Sequence, residues 1–529
     1  MKALLEPIKE IARFDELFRD LKKGTAGVTV ISGCLESQKA HMIAGLSEDA
    51  PVRLLIAENE LKAKELYEDY RLYDAETLYY PAKDLIFYQA DIHGNLLIRQ
   101  RLQVIQALLE RKEVTIITSV GGCMDFLLPL GVFEKHCIHL RNDSEFDLDK
   151  IRKELVRLGY ESTFQVESTG QFSVRGGILD IYPLTEQNPI RIELWGDEID
   201  SIRSFDAESQ RSIENLEEII IYPASELILT ENTIARGVKA IKKEAKAQST
   251  KFRDKMMTEE AARIRHAAEE ICDQIGEGEI LQGAEQYLHY FYPETVSFLE
   301  YLPENSRIFL DEPNRIIECA DALEAEFQES VSHRLEKGYL LPGQAKLMCS
   351  TAELVAKLNR RGCVAVSLME PQKGEWNIRD EFSVTVKSVN SYNNQFPLLV
   401  KDLKSWKKAG YRIVLASPSR TRAQHLAEDL QNEEIPAFYS ENEERVLKPG
   451  EVMLIHGAAR RGFEYPMQKF VLITETDIFG KEKKKNRKKS EYSGQKIQIL
   501  RIFRSVTMSC TRATVLVFTA VSKKLRWTA

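Results

Sequence analysis

Residues 173–206 read SVRGGILDIYPLTEQNPIRIELWGDEIDSIRSFD. Apolar and polar side chains alternate along this stretch, with glycine-rich turns between the runs, so it predicts short strands joined by at least one hairpin. A period of two puts Arg191, Glu193 and Trp195 on one face of their strand. Arg175 stands immediately before the Gly176–Gly177 turn. An arginine, a carboxylate and a tryptophan on one side of a small sheet suit an exposed binding face, because Arg and Trp are favoured at interaction hot spots. The competing reading is an ion-paired outer sheet surface. The β pattern predicts a small, mainly β domain over 126–205.

Working outward, residues 1–125 alternate strand-like and helix-like runs. TAGVTVISG, PVRLLIAEN and EVTIITSV read as strands, while SQKAHMIAGLSED, ELKAKELYEDYRLY and NLLIRQRLQVIQALLERK carry helical spacing. Such alternation implies a parallel sheet with helical crossovers. Residues 206–375 return to mixed α/β after a long charged helix or helix pair at about 230–275, whose charges predict a solvated face. RIVLASPS, EVMLIHGAA and KFVLITETDIFG predict a second small α/β domain over 380–480. The expected fold class is therefore α/β multidomain. It comprises a parallel-sheet, P-loop-like domain (1–125 and 206–375) with an inserted small mainly β domain, followed by the second small α/β domain.

The P-loop likeness rests on ISGCLESQKAHM (31–42). A phosphate-cradling loop needs G-x-x-x-x-G-K-[ST] between a strand and a helix. Gly33 and Lys39 fit, but Gln38 replaces the second glycine and Ala40 replaces the magnesium-binding hydroxyl. The loop is expected to be degenerate and non-functional, leaving a strand–turn–helix without nucleotide chemistry. No catalytic residue is nominated. The His136–His139 pair of HCIH sits on an expected strand with its rings on opposite sides, so no metal site is expected there.

The chain has 529 residues, 43% apolar and 29% charged, with a formal charge of −8. These values suit a soluble protein of about three to five folding units and exclude a wholly basic nucleic-acid binder. Eight scattered cysteines without CxxC spacing predict reduced thiols. The N-terminus lacks a signal peptide's apolar core, and the most apolar run, VTIITSVGGCMDFLLPLGVF, is broken by Gly, Asp and Pro. A cytoplasmic location is expected. KEKKKNRKK (481–489) predicts an exposed basic linker over 481–490, with weak nucleic-acid contact as its sharper alternative. From 492 to 529 no Asp or Glu occurs, an abrupt change of composition.

SVRGGILDIYP, RIELWGDEIDSIRSFD and QRS together resemble the β module shared by the excision-repair subunit UvrB and the transcription-repair coupling factor family. YYPAKDLIFYQADIHGNLLIRQRL, the degenerate loop and VLITETDIFGK resemble the coupling factors more closely. The resemblance covers nearly all of residues 1–500. It implies an ATP-driven bacterial repair family that displaces stalled RNA polymerase and recruits UvrA, with a UvrB-like N-terminal region that lacks ATPase activity. Carried onto this sequence, the implied UvrA-binding residues are Arg175, Arg191, Glu193 and Trp195. Ser173 stands where UvrB has a second arginine, and Trp195 where phenylalanine is usual. ATP and magnesium belong to the family's motor domains, so no cofactor is expected in this chain; RNA polymerase and DNA are implied as partners of the intact family, with the polymerase contact expected to be lost here. The resemblance further implies a polymerase-interaction module from about residue 495. Residues 507–528 are compatible with a one-base-shifted reading of that module's opening, so 491–529 is expected to be an out-of-frame tail on a truncated coupling factor. A non-functional relic and a DNA-dependent ATPase stand as rival readings.

Overall fold

Runs such as VTVIS, VRLLIA and VTIITS are apolar or uncharged at nearly every position, as strands covered on both faces require. In the computed structural model they join one seven-stranded parallel sheet. Its order is Ile378–Ser383, Val28–Ser32, Cys363–Val366, Arg307–Asp311, Val52–Ala57, Val114–Ser119 and Leu78–Tyr80. The structure describes residues 2–480 except 23, 84–94, 143, 277–283, 372–373 and 443, together with the backbone of 507–510 and 516–519. Part of the YYPAKDLIFYQADIHGN motif and the whole of the 481–490 linker lie outside the described residues.

Between the strands Val114–Ser119 and Arg307–Asp311 the chain leaves this sheet and builds the β unit. Ile138–Arg141 pairs antiparallel with Glu218–Ile221, forming a two-stranded neck. Beyond the neck lies a six-stranded sheet ordered Ser212–Leu216, Glu198–Phe205, Ile190–Trp195, Ile178–Ile181, Gln171–Arg175 and Glu161–Ser162. One face packs Phe172, Leu179, Ile181, Ile190, Ile192 and Ile202 into a core shared with Leu155 of the helix Leu148–Arg157. Strand pairing of the neck and this sheet runs from 138 to 221, where the sequence pattern placed the β unit at 126–205. Phe126–Leu127 pairs instead with Val296–Ser297, and Ser212–Leu216 closes the sheet edge. Periodicity marks a strand but not its distant partner.

Glu231–Asp254 and Thr258–Gly276 form the expected pair of long helices, packed on each other. A third sheet follows, ordered Lys387–Ser388, Phe463–Tyr465, Phe470–Thr474, Arg412–Ser417, Val452–His456 and Ala437–Tyr439. It starts later than 380, because Ile378–Ser383 belongs to the first sheet. It is also not an isolated domain. Ala3 and Leu4 of the N-terminal helix and Leu72 pack with Val414, Ala416, Met453, Phe470 and Leu472, and residues 1–480 form one compact unit. In the second unit, 481–529, Thr507–Cys510 and Leu516–Thr519 pair antiparallel. The remainder of the 491–529 tail, and with it the question of reading frame, lies outside the described residues. Among the described residues no helix is long and apolar enough to cross a membrane.

Candidate functional site

The face of the six-stranded sheet opposite its core carries a row of polar residues in register: Ser173 pairs with Asp180, Asp180 with Arg191 and Arg191 with Arg203. The next row contains Arg175, Ile178, Glu193 and Ser201. Asp180 is fully buried and organises both arginines. Arg191 meets it twice, Nε to Oδ1 at 2.7 Å and a terminal nitrogen to Oδ2 at 2.9 Å. Arg175 donates to the same Oδ2 at 2.6 Å. Two parallel charge-assisted bonds fix the Arg191 plane. Its guanidinium also lies 4.4 Å from the Phe205 ring centre and donates to Gln210. Hydrogen bonding to Asp180, acting against burial, holds the Arg191 guanidinium above its usual range.

The four expected residues therefore differ in kind. Arg191 is mostly covered and braced, Arg175 is half-open, and Glu193 is ion-paired with Arg203. Trp195 is 82% exposed. Alternation along its own strand leaves Trp195 on the outer face beside the turn at Gly196, where φ is +66°, and the register shifts at Glu193/Leu194 through an extra residue on the neighbouring strand. Inspection of the sequence missed Asp180 and Phe164. The lone aspartate inside ILDI is visible in the sequence, but its pairing with Arg191 on the adjacent strand is not. Phe164 is 85% exposed, and its carbonyl accepts from the Ser173 hydroxyl at 2.7 Å, which ties this aromatic to the same face. Nothing in the loop sequence announced it.

The loop after Val28–Ser32 is strand–turn–helix, and its amides and its lysine are taken by the chain itself, while the Gln38 Oε1 is buried without a partner. Gly33 has φ +82°, and a Cβ there would stand 2.2 Å from the Val384 carbonyl oxygen. The amides of Gly33 and Cys34 donate to the carbonyls of Leu368 and Ser367 at 3.1 and 3.0 Å. Lys39 is 2% exposed and reaches Asp311 at 2.5 Å and Glu312 at 2.7 Å. Burial lowers the Lys39 ammonium, but these two acids outweigh it and raise its pKa. The Gln38 amide donates to the Tyr465 hydroxyl, and Ala40 is buried. Asp311 and Glu312 were also missed, although IFLDE, an apolar strand ending in two acids, announces them.

A second buried charge cluster fastens the chain just beyond the neck. Arg101 meets Glu226 at 2.5 Å and Asp125 at 3.1 Å, and Lys83 pairs with Glu226. Burial pushes Asp125 up to about 6 in spite of Arg101 and Lys83. Burial acts the same way on Glu226, but those two cations hold it down at about 2. His136 does not lie on a strand; it follows the helix Leu130–Lys135, and its Nδ1 contacts the Val132 carbonyl at 2.8 Å.

A family model described as the UvrB interaction domain matches residues 138–227, bracketing the neck and the six-stranded sheet. The transcription-repair-coupling factor of Bacillus subtilis (strain 168) is 31% identical over 502 residues, covering 92% of this chain and 42% of that relative. The factor of Staphylococcus aureus (strain USA300) is 30% identical over 503 residues, covering 93% of this chain and 41% of its own length. The chain spans about two fifths of the length of these curated relatives. It is thus similar over nearly its whole length to the transcription-repair-coupling factors, and within that similarity it carries a UvrB interaction domain.

Proposed function

We propose that this chain serves transcription-coupled DNA repair in the cytoplasm as a UvrA-recruiting module, docking UvrA on the outer face of the six-stranded sheet. The observation that carries the reading is the exposed Trp195 beside an arginine pair held rigid by the buried Asp180. An aromatic anchor and pre-oriented arginines are the usual makings of a protein hot spot. In this reading Trp195 and Arg175 touch the partner, while Arg191 and Glu193 keep the face in shape. The wider role proposed, coupling transcription to repair, is supported by the name and similarity of the relatives.

The chain is proposed to turn over no ATP by itself. The ammonium that would meet a phosphate is committed to two carboxylates, and Gln38 and Ala40 stand where glycine and a magnesium-binding hydroxyl are needed. Titration of UvrA against the full chain tests the docking. Trp195→Ala should leave folding unchanged, because the ring is open to solvent, yet weaken binding by about thirtyfold, roughly 2 kcal/mol. Equal affinity of the wild type and both Trp195→Ala and Arg175→Ala variants would remove the face from consideration.

A further inference from the structure

The helix Phe396–Lys408 packs Leu399, Val400 and Leu403 against the third sheet. Its other side carries Lys401, Lys404 and Lys408, all exposed, with Lys407 half-buried beside them. Spacings of three and four residues align 401, 404 and 408 along one face over about 10 Å. The helix holds one acid, Asp402, which is turned away to accept from Asn390 and Tyr392.

The stripe continues onto neighbouring loops. Gly450, two residues from the exposed Lys448, packs beside Lys407: a Cβ at Gly450 would stand 3.7 Å from the Lys407 carbonyl oxygen. The exposed Lys469 accepts the Arg412 amide through its own carbonyl at 2.8 Å. The acids close by are engaged. Glu451 is bound by Arg445 and by the Lys448 amide, Glu10 by Arg412, and Glu464 accepts from the Tyr411 hydroxyl. None of these six lysines forms a salt bridge with a described residue.

In a chain with eight more acids than bases this local excess stands out; Lys9, Lys62 and Lys357 each reach two carboxylates. Lys407 and Lys408 complement the negative end of their helix, but that effect does not extend to Lys401, Lys404, Lys448 or Lys469. We propose that this lysine surface binds the phosphate backbone of duplex nucleic acid, without reading sequence. Lysines act as point charges suited to phosphates. These six residues are all lysines, which fits a contact made by charge alone with no planar bidentate recognition.

The test is fluorescence anisotropy of a labelled duplex of about 20 base pairs with the full chain, at 50 and 200 mM salt. The expected result is binding that weakens by about fortyfold or more between the two salts, as release of counterions from three or more phosphates requires. The Lys401→Glu/Lys404→Glu/Lys408→Glu variant, changed only at open positions, should bind at least tenfold more weakly at 50 mM. A variant with neutral residues in place of the bases of 481–489 is measured alongside it. Loss of all binding in that variant, with none lost in the helix variant, overturns the proposal. So does equal binding by wild type and helix variant, or displacement of the duplex by equimolar polyglutamate.

Discussion

Lys39→Met removes the cation from the occupied loop and keeps the length of the side chain. Lys39 is 2% exposed and bridges Asp311 and Glu312, so the substitution leaves two carboxylates facing each other, one of them buried. Deleting one partner of a buried ion pair costs about 3–5 kcal/mol, because the remaining charge stays desolvated and unpaired. Partial exposure of Glu312 keeps the expectation near the lower figure. Burial already raises the Asp311 carboxyl, and without Lys39 it rises further. The variant should therefore recover stability as pH falls and Asp311 takes up a proton. In thermal unfolding of the full chain at pH 7.5, a loss of about 3 kcal/mol corresponds to roughly 6–12 °C for a block of 150–250 residues. The gap from wild type should narrow at pH 5. Adding Asp311→Asn and Glu312→Gln to Lys39→Met should restore most of the loss, since neutral partners carry no stranded charge. A Lys39→Met midpoint within 2 °C of wild type at pH 7.5, or a gap that widens at pH 5, refutes this account of the loop.

Two further outcomes follow from the same geometry. His41 is fully buried, receives the Tyr465 hydroxyl at Nδ1 and contacts the Leu4 carbonyl through Nε2; burial lowers its pKa from 6.5 to about 4. The unfolded chain then binds this proton at higher pH than the folded one, so the contribution is fully present above pH 6.5 and is lost as pH falls towards 4. It amounts to about 3 kcal/mol, and His41→Gln should flatten that part of the stability–pH curve relative to wild type in urea titrations. Asp180→Asn should cost about 2–3 kcal/mol in stability through weaker bonds to Arg175 and Arg191. It should also lower UvrA affinity although Asp180 is buried; a variant that binds as tightly as wild type would show that the arginines need no brace.

The layered α/β character was legible because buried parallel strands write themselves as continuous apolar runs, and VTVIS, VRLLIA and VTIITS do so without ambiguity. Alternation likewise put Arg191, Glu193 and Trp195 on one face, and the register agrees. What local pattern does not encode is pairing across distance. Ile138–Arg141 finds Glu218–Ile221 some 80 residues away, and nothing within either segment names the other. The same limit hid Asp180. Sequence separates an exposed arginine from a braced one only when the acid opposite is known, and Arg191 turned out to be held across the sheet. Phe164 is legible only once Ser173 is seen to hold its carbonyl.

The neck also decides how the β unit carries load. Arg141 and Glu218 lie at its outer end, while Ile138 and Ile221 lie side by side at the end facing the large sheet. A pull on the β unit from outside acts on both strands in the same direction, as tension along their length. The ladder between them is therefore not peeled apart rung by rung. The strain passes onward to the chain beyond Ile221, where Glu226 is clamped by Arg101 and Lys83. Under force the load is thus divided between the chain before Ile138 and that buried cluster, and the ladder of the neck is spared.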